Sequence, residues 1–152
     1  MHLMYKVLVD CMPEVHLRKL QALVHQCFNS ELVSISMLRT YNYAIIAQLN
    51  GKFIGTLLAR ISKDEQQHEI SKFCVAPHMR GTGVGAEMLA FLQNELPTKS
   101  SIILYVDAGK CHDRLVSFYE RNGLLIAAKN ETETMMASKL VAPMAPYKGN
   151  EF

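Results

Sequence analysis

The run Val75-Ala76-Pro77-His78-Met79-Arg80-Gly81-Thr82-Gly83-Val84-Gly85 joins two segments with different hydrophobic periods. Before it, Ile70 to Val75 reads as an apolar, β-branched strand. After it, Val84, Met88, Leu89, Phe91 and Leu92 recur at spacings that place them on one face of a helix. A glycine-rich turn from strand into helix leaves backbone N–H groups pointing outward at the positive end of the helix dipole. Glycines let an anion approach that backbone closely, and Arg80 adds a permanent positive charge. The local chemistry is that of a phosphate or pyrophosphate cradle.

Two patterns overlap in this loop. Gly81-Thr82-Gly83-Val84-Gly85-Ala86 satisfies the dinucleotide pattern G-x-G-x-x-G/A, and Asp107 lies about 20 residues on, where a ribose-binding acid is expected. Arg80, Gly83 and Gly85 also fill R-x-x-G-x-G after a Val-x-Pro turn. A dinucleotide fold opens with its glycine loop and needs more βα units than the chain after Asp107 can supply. Here the loop lies mid-chain, behind what reads as an antiparallel meander.

Downstream stands His112-Asp113-Arg114-Leu115-Val116-Ser117-Phe118-Tyr119-Glu120-Arg121-Asn122-Gly123-Leu124. Together with the R-x-x-G-x-G loop, this segment resembles the GNAT superfamily of N-acetyltransferases, whose second signature is N-x-x-A-x-x-x-Y-x-x-x-G-F. Tyr119 and Gly123 match; His112 replaces the Asn, Leu115 the Ala and Leu124 the Phe. The resemblance covers about residues 4 to 140. It implies an α/β (mixed α+β) GNAT fold, a central mixed sheet splayed at a cofactor cleft, and acetyl-CoA as cofactor. It also implies that Cys74, Val75, Arg80, Gly81, Thr82, Gly83, Val84, Gly85, His112 and Tyr119 bind that cofactor.

Composition agrees with one domain over residues 1–140 and a C-terminal tail over 141–152. The chain has 152 residues, 49% of them apolar and 20% charged, so it can fold on its core alone. A net charge of +2 gives no argument for nucleic acid or a membrane surface. Cys11, Cys27, Cys74 and Cys111 show no C-x-x-C spacing, which argues against a zinc site and for reduced thiols in a cytoplasmic protein. No apolar stretch has the length of a membrane span or a signal peptide. The assembly state stays open, with a homodimer as one option.

Local signals give the order βααβββαβαββ. Strands are expected over Tyr5–Val9, Tyr43–Leu49, Lys52–Ile61, Ile70–Val75, Ile102–Val106, Leu124–Ala128 and Met135–Leu140. Helices are expected over Glu14–Phe28, with Val15, Leu17, Leu20, Leu23, Val24 and Phe28 on its apolar face, from Asn29 to Leu38, after the glycine loop up to Pro97, and over Asp113–Arg121. Asn50-Gly51 marks a hairpin because both turn positions need positive φ.

Acetyl transfer to an amine needs a neutral amine, a stabilised oxyanion and a protonated thiolate leaving group. A lysine-type amine is only about 0.04% neutral at pH 7, so a positioned base matters. The resemblance makes Tyr119 the general acid and a backbone N–H near Cys74 or Val75 the oxyanion donor. For the base there are two carboxylates. Asp107 ends an apolar strand on the face of Tyr105 and Ile103, and Glu69 lies early in the strand entering the loop. The plainer roles are a packed aromatic for Tyr119, a cap for Asp107 and a solvated strand edge for Glu69.

The acceptor is expected near residues 28–40 and 128–134, where Glu31, Glu131 and Glu133 can attract a cationic amine. Peptide N-termini, lysines, polyamines and small amines all stay open. His2, His16 and His25 read as surface residues, His68 and His78 as solvated, Cys74 and Cys111 as buried thiols, and the nine methionines as core filler. The rival readings are a non-catalytic acyl-CoA-binding or regulatory module and, resting on Gly81 to Ala86 with Asp107, a dinucleotide-binding domain.

Overall fold

Asn50 and Gly51 have φ of 51° and 80°, the two left-handed positions that close the β2–β3 hairpin. The computed structural model describes residues 2–28, 33–97 and 99–138. Its strands are β1 (Leu3–Leu8), β2 (Tyr43–Leu49), β3 (Lys52–Ile61), β4 (Gln67–Val75), β5 (Ser101–Asp107), β6 (Leu124–Lys129) and β7 (Glu133–Ser138). Its α-helices are α1 (Glu14–Cys27), α2 (Ile35–Leu38), α3 (Val84–Glu95) and α4 (His112–Arg121). The strands form one mixed sheet in the order β1-β2-β3-β4-β5-β7-β6. The predicted element order is the observed one.

The chain groups into two compact units. The first holds residues up to Arg60 and Ile70–Asn94. There β1, β2 and β3 pair antiparallel, with Leu3 opposite Gln48 and Tyr43 opposite Ala59. α1 buries Leu17, Leu20, Leu23 and Val24; Leu17, Leu20 and Val24 pack with Val9, Leu38, Ala44, Ile46 and Leu58 among others, and Leu23 packs with Cys74 and Ala76. Val15, expected on that face, is exposed. At 100° per residue it lies about 160° from Leu17, on the far side of the helix.

Gly55 in β3 is a close-packing glycine. A Cβ there would stand 2.8 Å from Met88 Sδ and 3.4 Å from both Val84 Cγ1 and the Cys74 carbonyl oxygen. Its missing side chain lets α3, and with it the glycine loop, lie directly on β3.

The second unit holds Ile61–Glu69 and the chain from Glu95 on. Here β5 is buried almost throughout, from Ser101 to Val106, and pairs antiparallel with β7. β6 pairs antiparallel with β7, with a register shift between Ile126 and Ala128. β4 and β5 pair in parallel through their first three residues, Gln67↔Ser101, His68↔Ile102 and Glu69↔Ile103. α4 buries Val116 and Tyr119, and Gly123 follows it at φ 95° as a left-handed helix end.

Most boundaries fall within two residues of the expected ones; β4, starting at Gln67 rather than Ile70, and the second helix are the exceptions. The second helix is shorter than expected, because Ser34 caps it by accepting from the Met37 N–H at 3.0 Å. Residues 29–32, Leu140 and the 141–152 tail lie outside the described residues, as does Glu31.

Candidate active site

In the first unit, β4 carries an irregularity just before the glycine loop. Lys72 has φ 51°, a left-handed conformation uncommon for a side chain larger than glycine. It breaks the regular pleat there, the kind of strained strand position that re-aims neighbouring groups near functional sites. Cys74 is buried and Val75 half-buried. The Ala76 N–H then bonds the Ile54 carbonyl at 2.7 Å, fixing the exit of the strand.

A single 3-10 turn, Pro77–Met79, leads into Arg80 and the glycines. Gly81 and Gly83 take φ of 79° and 91°, and a Cβ on either would meet nothing within 4 Å. Thr82 Oγ1 donates to the Met79 carbonyl at 2.5 Å, holding the loop from behind. The Glu87 N–H reaches the Gly83 carbonyl at 3.0 Å, the i−4 bond that starts the helix. By helix geometry Val84, Gly85 and Ala86 lack such a carbonyl for their N–H groups. Gly81, Thr82 and Gly83 are exposed, so the turn leaves its backbone open where a pyrophosphate needs donors, and the residues present fit that group.

Arg80 is anchored toward the strand. Its Nε donates to the Val75 carbonyl oxygen at 3.2 Å. Cys27 Sγ lies 3.4 Å from the same oxygen. Hydrogen bonding to Cys74 and the charge of Arg80 hold the Cys27 thiol down at about 7, against burial, while the Cys27 contact and burial push the Cys74 thiol up. Cys27 is therefore the member that ionises first.

The second unit holds the other candidates. Ile103, Tyr105 and Asp107 alternate onto one face of β5. Glu69 is in register with Ile103, so it shares that face near the start of the strand. Asp107 is exposed and Glu69 half-buried. Directly opposite Asp107 stands Glu133 of β7.

His112 opens α4 with both ring nitrogens engaged, Nδ1 to Asp113 Oδ1 at 2.9 Å and Nε2 to the buried Thr134 Oγ1 at 2.7 Å. These residues line a cavity of about 290 Å³ with Gly109, Lys129, Glu131 and Glu133. Tyr119 is buried, its ring edge-on to Phe118 at 5.3 Å. Burial pushes its phenol up to about 12, so it stays neutral at working pH.

Cys74, Val75, Arg80 and Gly81–Gly85 are thus gathered in the first unit, and Glu69, Asp107, His112 and Tyr119 in the second. Several minor expectations need correction. His68 is buried, not solvated, because it shares a strand face with Ile70. His25 is half-buried and accepts the Val33 N–H at 2.9 Å. His2, read as a surface residue, is partly exposed and pairs there with Glu87. Cys111 is exposed, because it precedes α4 rather than lying within its packed face.

Sequence reasoning missed Cys27, Glu133 as the partner of Asp107, and Thr134 as the partner of His112. Cys27 was within reach: seven residues after Leu20, it falls on the buried face of α1. Glu133 and Thr134 follow only from the β5–β7 register, which no local signal sets.

The Acetyltransferase (GNAT) family model matches residues 1–124. The chain belongs to the GNAT acetyltransferase family, enzymes that use acetyl-CoA. Among solved structures, Escherichia coli ElaA is 17% identical, with 91% of this chain and 100% of that one covered and a TM-score of 0.73. A PaiA N-acetyltransferase from Thermoplasma acidophilum, in complex with coenzyme A, is 14% identical over 91% and 99% of the two chains, with a TM-score of 0.74. The ribosomal-protein-S18-alanine N-acetyltransferase from Escherichia coli is 16% identical over 98% and 100%, also at 0.74. At these identities the likeness is one of fold. No curated protein matches the chain significantly. Among the described residues, no helix is long and apolar enough to cross a membrane, and no cluster of His, Cys, Asp or Glu is placed to hold a metal ion.

Proposed function

We propose that this chain moves an acetyl group from acetyl-CoA to a primary amine by direct attack within a ternary complex. The observation that carries the reading is the exposed Gly81–Gly83 turn opening onto the start of α3, with Arg80 beside it. Bound there, acetyl-CoA supplies the activated thioester.

The loop N–H groups and the Arg80 guanidinium hold the pyrophosphate. The backbone N–H near Cys74 or Val75 donates to the carbonyl oxygen as it gains charge. Asp107 takes the proton of the amine, with Glu69 as the competing base. Tyr119 hydrogen-bonds and protonates the leaving sulfur. His112 orients the α4 end of the site through Thr134.

The amine is cationic before it reacts, and Asp113, Glu131 and Glu133 around the 290 Å³ cavity favour such an acceptor over an anionic one. Peptide or protein amines, polyamines and small-molecule amines share that chemistry. The family match over residues 1–124 runs through parts of both units, which supports their belonging to one domain, proposed to extend through residue 140. Four free thiols among the described residues suit a reducing, cytoplasmic setting. The resemblance also leaves room for a homodimer.

One observation favours a non-catalytic acyl-CoA-binding module: both nitrogens of His112 are already engaged. A screen of amine acceptors with labelled acetyl-CoA decides. Transfer to one acceptor class, abolished when amines are omitted, supports the enzyme. Tight CoA binding with no transfer to any amine would mean a binding module.

A further inference from the structure

Cys27 ends α1 and Cys74 is the next-to-last residue of β4, 47 positions further along the chain. Both belong to the first unit. Cys74 lies in an apolar cluster with Leu23 and Ala76, and Cys27, Phe28 and Phe53 pack against it. Cys27 thus packs against the cluster that holds Cys74, and neither thiol is in a disulfide. Their exposures differ: Cys27 is half-buried and reachable from solvent, whereas Cys74 is 7% exposed. Cys27 also faces a fixed cation, because its sulfur and Arg80 Nε meet at the same Val75 carbonyl oxygen. An accessible thiol beside a guanidinium, packed against a cluster that holds a second thiol, has the parts of an attacking and resolving pair.

We propose that Cys27 and Cys74 are a modification site, a reversible dithiol–disulfide pair in which Cys27 reacts first and a low-molecular-weight disulfide is the oxidant. The Cys27 thiolate attacks one sulfur of R–S–S–R. That S–S bond breaks, one R–S⁻ leaves and takes a proton from water, and Cys27–S–S–R remains. Cys74 then gives its proton to solvent and attacks the Cys27 sulfur, expelling the second R–S⁻. Two protein thiols are oxidised to one disulfide, and R–S–S–R is reduced to two R–SH. A dithiol reductant reverses both steps.

The thiol of Cys27, held down near 7, is close to the optimum for exchange at neutral pH, where thiolate fraction and nucleophilicity are both substantial. Nothing in the acetyl transfer uses this thiol. The bond would tie the end of α1 to β4 one residue before Val75 and remove an anion from beside Arg80.

The test uses the full chain and oxidised glutathione at neutral pH, followed by acid quenching, alkylation and peptide mapping without reduction. Cys11 and Cys111, both exposed, serve as internal references. The expected product is a Cys27–Cys74 linked peptide, lighter by two hydrogens and restored by dithiothreitol. It should form at least tenfold faster than glutathione adds to Cys11 or Cys111. In Cys74→Ala the mixed disulfide should accumulate at Cys27, and in Cys27→Ser Cys74 should stay unmodified; circular dichroism confirms that both variants fold. A wild-type product that stops at Cys27-glutathione, or reaction at Cys11 and Cys111 ahead of Cys27, overturns the proposal. Acetyltransferase activity enters none of these readouts, so failure here leaves the proposed reaction standing, and the reverse.

Discussion

Asp107 and Glu133 stand directly opposite each other in the antiparallel ladder between β5 and β7. Cβ atoms of such a pair lie about 4.5–5.5 Å apart, and like charges so placed repel. A cation between them relieves that repulsion. In the proposed reaction, a cationic amine at the end of β5 would relieve that repulsion beside the carboxylate proposed to take its proton.

The base can be identified from pH–rate profiles. Asp107→Asn should lower kcat/KM by about 10²-fold and shift activity toward alkaline pH, where the amine deprotonates unaided. Adding Glu133→Gln should deepen the loss. Glu69→Gln should change little, because Glu69 is level with Ile103, four residues before Asp107. That is about 13 Å along a strand, too far for one amine to use both. Loss of the acidic limb in Glu69→Gln alone would reverse the assignment. Loss in neither would point to a proton relayed through water.

For the cradle, the informative variant is Arg80→Gln. Gly83→Asp places a negative side chain against the anion, but Gly83 has φ 91°, so any side chain there also strains the loop. Arg80→Gln removes the charge alone. CoA binding should weaken by about 1.5–3 kcal/mol, the range for hydrogen bonds to charged groups. Calorimetry that finds unchanged affinity would remove Arg80 from the site.

Tyr119→Phe separates acid from scaffold. With the phenol up at about 12 and a free thiol near 8.5, complete proton transfer to the thiolate is uphill by about 5 kcal/mol. Tyr119 therefore acts best by hydrogen-bonding the sulfur as its charge develops and releasing the proton late. Turnover should fall by about 10²-fold with CoA affinity nearly intact. Turnover within about twofold of the parent would leave Tyr119 as packing.

The fold was legible because local signals agreed with one another. Asn50-Gly51 placed a hairpin, the apolar stripe of α3 followed a glycine loop, and β5 read as continuously buried. The glycine loop between β4 and α3 is legible for the same reason, since it is contiguous in sequence. What stayed hidden depends on pairing between distant segments. Nothing near Asp107 announces Glu133, and nothing near His112 announces Thr134; both follow from the strand register. The polar neighbours of His68 suggest a solvated ring, whereas its parity with Ile70 puts it inside.

Gly55 offers a stability test of how α3 is seated. Gly55→Ala would put a Cβ 2.8 Å from the Met88 sulfur. Overpacking of this kind costs about 1–3 kcal/mol. The flexible end of Met88 can yield, so the lower end, about 1 kcal/mol, is expected from urea unfolding. The shift of α3 should also weaken CoA binding. A stable Gly55→Ala protein with parental CoA affinity would show that α3 needs no such close approach.

Stability should also depend on pH through Cys27. Its thiol drops from the ordinary 9.0 to about 7 in the folded chain, chiefly through the Cys74 hydrogen bond. Between those values the unfolded chain keeps a proton that the folded chain has lost, so stability rises with pH from about 7 to 9. The contribution is complete above 9 and is lost as pH falls through 7. Cys74 moves the opposite way, so its contribution is present below 9 and fades above it. Together they place a local maximum near pH 9. Urea midpoints of the reduced protein at pH 6.5, 8 and 9 should therefore increase, and in Cys27→Ser that rise should flatten. An equal rise in Cys27→Ser would assign it to other groups and remove the ionised thiol from beside Arg80.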